Sequence, residues 1–245
     1  MSDEVKSEAF ATFDLSQMNA VELSRRMREL ELPNSEGFEL PLIEVKGLRG
    51  EHNILMGLDL PCRVNVRGKL GDYAMAFNRR AHVRTTGSAG DGLGESMVSG
   101  AVRVHGNAGA GVGVAMTGGT LAVYGNAGDG CAAALRGGEV FVRGNVGHNA
   151  AHAALHGTLV IGGDAGNNLG EAMMDAMIFI RGSIGSLGHG VAELPLIPKD
   201  RVRLGLLLIN AGIRGDAQDF RRVVPQRVYD EEQKRKGVIG HPSWR

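Results

Sequence analysis

Three histidines stand four residues apart in the stretch GHNAAHAALH: His148, His152 and His156. On a helix that spacing would put three imidazoles on one face, as a zinc site requires. Glu95, Glu171 and the row Asp72, Asp91 and Asp129 hold carboxylates suited to general acid or base work. Cys62 and Cys131 carry thiols, and the strings GNAGAGVG and GNAGDG have the look of phosphate-cradling glycine loops. Which of these groups can act together depends on the elements that carry them.

Those elements are written as a repeat. Seven segments begin at Val64, Val83, Val102, Leu121, Val140, Leu159 and Ile178, nineteen residues apart. They read VNVRGKLGD, VRTTGSAGD, VRVHGNAGA, LAVYGNAGD, VFVRGNVGH, LVIGGDAGN and IFIRGSIGS. The first position is always apolar, and the third is apolar except at Thr85. Gly fills the fifth position (Gly68, Gly87, Gly106, Gly125, Gly144, Gly163 and Gly182) and the eighth (Gly71, Gly90, Gly109, Gly128, Gly147, Gly166 and Gly185). An earlier copy, IEVKGLRGE from Ile43, keeps the frame 21 residues before Val64. Apolar residues at positions one and three describe a short strand with one buried face. The two Gly columns are read as fold-defining turns, with positive φ at both corners. A second apolar column stands at position fifteen, with Met97, Met116, Leu135 and Met173, and Leu155 near that place in the coil from Val140. The period and two inward columns give an all-β fold: a single-stranded, right-handed parallel β-helix of about eight coils, on the order of 40 Å long. Hexapeptide and calcium-binding nonapeptide helices fit less well, because nineteen is not a multiple of six and GGxGxD is not repeated.

This frame disperses the chemistry. His148, His152 and His156 fall at positions nine, thirteen and seventeen of one coil and point in different directions, so polar residues facing solvent or a partner are the better reading than a metal site. Asp72, Asp91, Asp129, His148 and Asn167 share position nine, which suits Asp and Asn bonding their own turn backbone; a polar row facing a neighbour or channel is the functional alternative. Glu95 and Glu171 lie four coils apart, about 19 Å by strand spacing, too far for a paired-carboxylate mechanism. Cys62 and Cys131 are at least three coils apart and cannot form a disulfide. No GK[ST] follows the glycine strings. No catalytic, cofactor-binding or metal-binding residue is assigned.

Composition agrees. The 245 residues include 38 Gly, with 27 basic and 27 acidic residues and zero net charge, which argues against a nucleic-acid face or polybasic membrane anchor. No apolar run reaches the length of a membrane span, and the start does not read as a signal peptide; a cytoplasmic location is expected. The chain divides into an N-terminal helical or extended arm (1–42), the β-helix (43–196), and C-terminal capping helices with a tail (197–245). FDLSQMNAVELSRRMREL reads as a helix capped by Ser16 or Asn19. Arg203 to Ala211 reads as an apolar helix and Asp216 to Tyr229 as a second helical stretch broken at Pro225, both docking on the last coil. DEEQKRKGVIGHPSWR reads as an extended tail or a partner-binding segment, with Trp244 as an interface anchor.

The columns [LIV]-x-[LIV]-x-G-x-x-G, followed by Met or Leu and a Gly-Gly corner, closely resemble the GXGXG β-helix domain over Ile43 to about Leu196. That family includes the C-terminal part of the large glutamate synthase subunit and the C subunits of formylmethanofuran dehydrogenase and related formyltransferase/hydrolase complexes. LGLLLINAGIRGDAQDF resembles the helix after the β-helix in the glutamate synthase group. Within the family the chain looks most like the small β-helix subunit of N-methylglutamate synthase. The resemblance implies a non-catalytic scaffold subunit with an FMN-binding synthase subunit and an amidotransferase-like subunit as partners. It places FMN, with or without an iron–sulfur cluster, on a partner and no cofactor on this chain. The alternative is the same scaffold role in a formyl-transferring complex.

Overall fold

Eight short parallel strands stack in the order in which the chain makes them. The computed structural model describes residues 9–33, 39–213 and 215–239. The strands are β2 (Leu42–Arg49), β3 (Arg63–Lys69), β4 (His82–Thr85), β5 (Ala101–Val104), β6 (Thr120–Val123), β7 (Arg136–Val142), β8 (His156–Ile161) and β9 (Met177–Ile180). Their register advances by one repeat per rung, pairing Ile43 with Val64, then Val83, Val102, Leu121, Val140, Leu159 and Ile178. The result is a parallel β-solenoid whose position-one residues form one buried ladder. Thr85, the exception at position three, is buried and accepts from the Gly87 N–H at 3.1 Å through Oγ1.

The rest of the coil is more regular than the two inward columns suggested. Position seven makes a second parallel ladder of single bridges from Ala108 through Ala127, Val146 and Ala165 to Ile184. Position eleven is a further buried column with Ala74, Leu93, Val112, Cys131, Ala150 and Leu169. At position fifteen the column from Met97 to Met173 is buried, but Ala154 continues it, whereas Leu155 is 36% exposed. Asn78 heads that column, fully buried, and donates to Ala81 O at 3.1 Å and Ser99 O at 3.0 Å. Positions ten, twelve and fourteen take left-handed φ in coil after coil, as at Gly92, Gly94 and Ser96. The alternation points successive N–H groups opposite ways along the rod: Gly92 donates forward to Ala110 O, Gly94 backward to Ala74 O, and Ser96 forward to Val114 O.

The glycine columns have a different cause from the one expected. Of the fourteen residues at positions five and eight, Gly68 alone has a left-handed φ, +135°. At the others the previous coil is too close for a side chain. A Cβ on Gly125 would meet Gly106 O at 2.7 Å and Gly106 C at 2.8 Å, with Asn107 Oδ1 closer still. That oxygen belongs to a ladder at position six. The Asn107 side-chain oxygen accepts from the Asn126 N–H at 2.8 Å, Asn126 from Asn145 at 2.9 Å, Asn145 from Asp164 at 2.9 Å, and Asp164 from Ser183 at 2.7 Å. The strand ends after Gly because each coil's corner is hydrogen-bonded to the side chain below it.

The flanks differ from the sequence reading in kind. Phe13 and Asp14 lie in a strand, β1 (Ala11–Asp14), parallel to β2, because this stretch completes the open edge of the first coil. The N-terminal helix is α1 (Ala20–Arg28), capped by Asn19, whose Oδ1 accepts from the Glu22 N–H at 2.9 Å; Leu23 and Met27 bury its inner face. At the other end, β11 (Arg221–Pro225) pairs antiparallel with β9, and β10 (Val191–Pro195) pairs antiparallel with β11, in the order β9-β11-β10. Residues 221–225 were expected to be helical; with Val223 and Val224 fully buried, they instead supply the strand that the last rung needs. The apolar helix is present as α2 (Pro198–Ala211), ending at Gly212 with φ +67°. Helix α3 (Gln226–Ile239) takes up most of the stretch read as an extended or partner-binding tail, while Trp244 lies outside the described residues. Arg222, 3% exposed, ties the cap together: it donates to Pro195 O at 3.1 Å, faces Asp200 at 3.3 Å and grips Glu232 at 2.6 Å.

Two outcomes check this packing. Gly125→Val should lower stability by about 3 kcal/mol through overpacking, whereas Gly130→Ala, with nothing within 4 Å of its added Cβ and φ +67°, should cost only about 1 kcal/mol of left-handed strain. Equal melting temperatures for the two variants would contradict the close-stacking account. Arg222→Met should leave Asp200 and Glu232 without their cation and lower stability by about 3 kcal/mol, read as a Tm roughly 10 °C lower in thermal unfolding.

Candidate functional site

The rod scatters the residues first considered for chemistry. His148, His152 and His156 are all exposed on successive parts of one coil. Among the described residues no group of three or more His, Cys, Asp or Glu is placed to hold a metal ion. Position nine is a ladder, but its side chains bond the next coil, not their own turn as expected. Asp72 Oδ1 accepts from the Asp91 N–H at 2.9 Å, Asp91 from Ala110 at 2.8 Å, Asp129 from His148 at 2.7 Å, and His148 Nδ1 from Asn167 at 2.9 Å. The next N–H lies one rung above, within reach of a short side chain; the residue's own backbone is committed to the stack. Glu171 accepts from the His189 N–H at 2.5 Å, and Glu95 sits on a different coil, half-buried. Cys62 and Cys131 are both free and buried, and desolvation pushes their thiols up to about 11 and about 12. They are packing residues, poor in the thiolate that nucleophilic chemistry needs.

The outward columns of the sheet do converge. At position two the sequence runs Asn65, Arg84, Arg103 and then Ala122, Phe141, Val160, Phe179. The apolar half cannot face water, so α2 lies across it: Leu204, Leu207, Leu208, Ala211, Ile213 and Phe220 pack on Ala122, Phe141, Val160 and Phe179. The polar half is left open. The boundary falls where α2 ends. There Arg103 donates to Asn210 O at 3.1 Å, and the Tyr124 hydroxyl donates to Ala211 O at 2.5 Å, satisfying carbonyls at the helix C-terminus. A cleft of about 490 Å³ opens beside them, lined by His105, Tyr124, Arg143 and Gly212. His105 stacks on Tyr124 with ring centroids 4.7 Å apart and accepts from Arg84 Nε at 3.1 Å through Nε2. The outer side of α2 is exposed, with Val202, Leu206 and Ile209 at 68%, 60% and 75% among the described residues.

This face is basic although the chain is neutral. Lys46, Arg67, His105, Arg143 and Arg181 recur at position four, the first two paired with Asp14 at 3.4 Å and Glu44 at 3.3 Å, whereas Asp72, Asp91 and Asp129 recur at position nine. Zero net charge therefore conceals columns of opposite sign on different faces. Desolvation first, then the guanidinium groups of Arg84 and Arg143, hold the His105 imidazole below its ordinary pKa of 6.5. His82 is lowered likewise, by desolvation and then by Arg103. Sequence reasoning followed the inward columns and missed this set. The signal was available in the same frame at positions two and four.

The fold and its columns define a β-solenoid rod with charge-segregated outer faces. Over 57 residues the chain is 42% identical to protein GlxC of Rhizobium meliloti (strain 1021), a stretch amounting to 23% of this chain and 25% of that protein. The chain thus covers about a quarter of the curated relative it matches. No protein-family model matches it. Among the described residues no helix is long and apolar enough to cross a membrane.

A pH dependence follows from the cleft. A histidine with a lowered folded pKa binds fewer protons folded than unfolded, so its contribution is present above its ordinary value of 6.5 and is lost as pH falls from there through the lowered folded value. Tm should therefore drop on acidification below that point. In an NMR titration Arg84→Gln and Arg143→Gln should each raise the His105 midpoint without restoring it fully, because desolvation remains. An unmoved midpoint in both variants would remove the guanidinium contribution.

Proposed function

We propose that the chain is a structural and assembly subunit of a glutamate-synthase-like, FMN-dependent complex, and within that group of N-methylglutamate synthase, which makes N-methylglutamate and ammonia from methylamine and glutamate. The observation that carries the scaffold role is the coil itself. Its inward positions are filled by stacked apolar side chains, and its corners are closed by glycine against backbone. What remains for function is the outer surface, where charge and apolar side chains stand in columns at fixed spacing. A rigid ladder of this kind holds neighbouring subunits in register. The 57-residue likeness to GlxC supports the coarser reading, a glutamate-synthase-like family, over the quarter of the chain that it covers. The finer assignment rests on the resemblance of the repeat and of the helix after it.

In this reading FMN belongs to a synthase subunit, and an amidotransferase-like subunit completes the assembly. The full chain, tagged and purified from its native cells, should bring a yellow complex with bound FMN and turnover that depends on methylamine and glutamate. The chain alone should be colourless and inactive. Recovery with formyl-transferring partners, or with no partner, would overturn the assignment.

A further inference from the structure

Positions ten and fourteen of each coil lie on the turn face in left-handed conformation, where a bulky side chain is strained. Coil after coil obeys this with small or turn-forming residues. Position ten holds Gly92, Gly111, Gly130, Asn149 and Asn168, position fourteen holds Ser96, Ala115, Ala134, Ala153 and Ala172, and Asn53 and Gly57 make the equivalent bonds in the longer first coil. The coil that begins at Val64 breaks the rule twice. It places Tyr73 at φ +57° and Phe77 at φ +58°, and both rings are about half exposed, at 47% and 49%. The Tyr73 ring lies over Gly92 of the next coil, where a Cβ would come within 2.7 Å of Cε1. Met56, on the preceding coil, is 36% exposed. Burial does not account for two strained aromatics that remain half in water.

Acidic residues stand on the adjoining coil. Tyr73 donates its N–H to the main-chain oxygen of Asp91 at 2.7 Å and Phe77 to that of Glu95 at 2.8 Å, so each aromatic residue is paired through its backbone with an acidic residue of the adjoining coil. Asp91 Oδ1 is engaged by the Ala110 N–H at 2.8 Å, whereas the half-buried Glu95 carboxylate forms no ion pair among the described residues. Exposed aromatic faces and an unpaired carboxylate on the adjoining coil attract a cationic side chain through its charge and its aliphatic stem. We propose that Tyr73, Phe77 and Glu95 form the docking surface for a partner protein that presents Arg or Lys among apolar residues. This rests on the reading of the chain as a subunit of a larger complex.

The test uses the full chain and the complex purified from native cells, with partners identified by mass spectrometry. Phe77→Gly should keep or raise Tm, since glycine removes left-handed strain at a site the other coils fill with small residues, yet weaken the complex by about tenfold. Glu95→Gln should weaken it less and reduce its sensitivity to salt. Hydrogen exchange across residues 72–80 should slow in the complex, and a zero-length crosslinker should join Glu95 to a partner lysine. An intact, flavin-bearing complex with Phe77→Gly and unchanged exchange would overturn this surface while leaving the proposed function standing. A protected surface in a complex without flavin would do the reverse. A sharply lower Tm for Phe77→Gly would make the ring a packing residue, and concentration-dependent self-association abolished by Phe77→Gly would make the partner a second copy; either outcome overturns the proposal.

Discussion

Neighbouring coils must approach to strand spacing, about 4.8 Å, all the way round the turn and not only along the strand. That approach governs the residue at almost every position. It leaves no room for Cβ at positions five and eight, hence the glycine columns against the backbone below. It brings each Asx side chain at position six within reach of the next coil's N–H, from Asn107 up to Ser183. It also requires the irregular half of the coil to bond both neighbours, which alternating left-handed residues achieve by turning successive N–H groups up and down the rod. Backbone groups that would otherwise be buried without partners are satisfied by the coils above and below.

A stack of this kind has two open ends and several outer faces, and these shape the rest of the molecule. The first rung is covered by β1, paired in parallel, and the last by β11 and β10, paired antiparallel. Arg222 then fastens α2 and α3 to that cap with buried charges, an arrangement that holds geometry more than it adds stability. Where outward side chains of the sheet are apolar, α2 covers them; where they are basic, the sheet stays open. The cleft at His105 and Tyr124 marks the border between these halves. Its chemistry is electrostatic, and the buried thiols and scattered histidines take no part in it.

Much of the rod was legible. The nineteen-residue frame set the register that the strands follow, and Val64, Val83 and Val102 stack as the frame requires. The glycines were visible, but their reason was not: proximity of another coil is a tertiary fact, and a sequence motif cannot distinguish it from positive φ. Residues 221–225 were misread because alternation in so short a segment is weak and Pro225 suggested a broken helix; only the unpaired edge of β9 makes a strand the better state. The basic face was obscured by a net charge of zero. Tyr73 and Phe77 were unremarked because Tyr and Phe are ordinary residues until their backbone angles are known.

The sequence by itself therefore determined the repeat, its period, its inward columns and the dispersal of reactive residues around a coil, because periodicity is local information carried in the order of residue types. The tertiary structure alone decided why glycine stands at the corners, how the ends are capped, where α2 lies, and which exposed side chains share a face. Those depend on distances between residues a full coil or more apart in the chain, and such distances exist only once the coils are stacked.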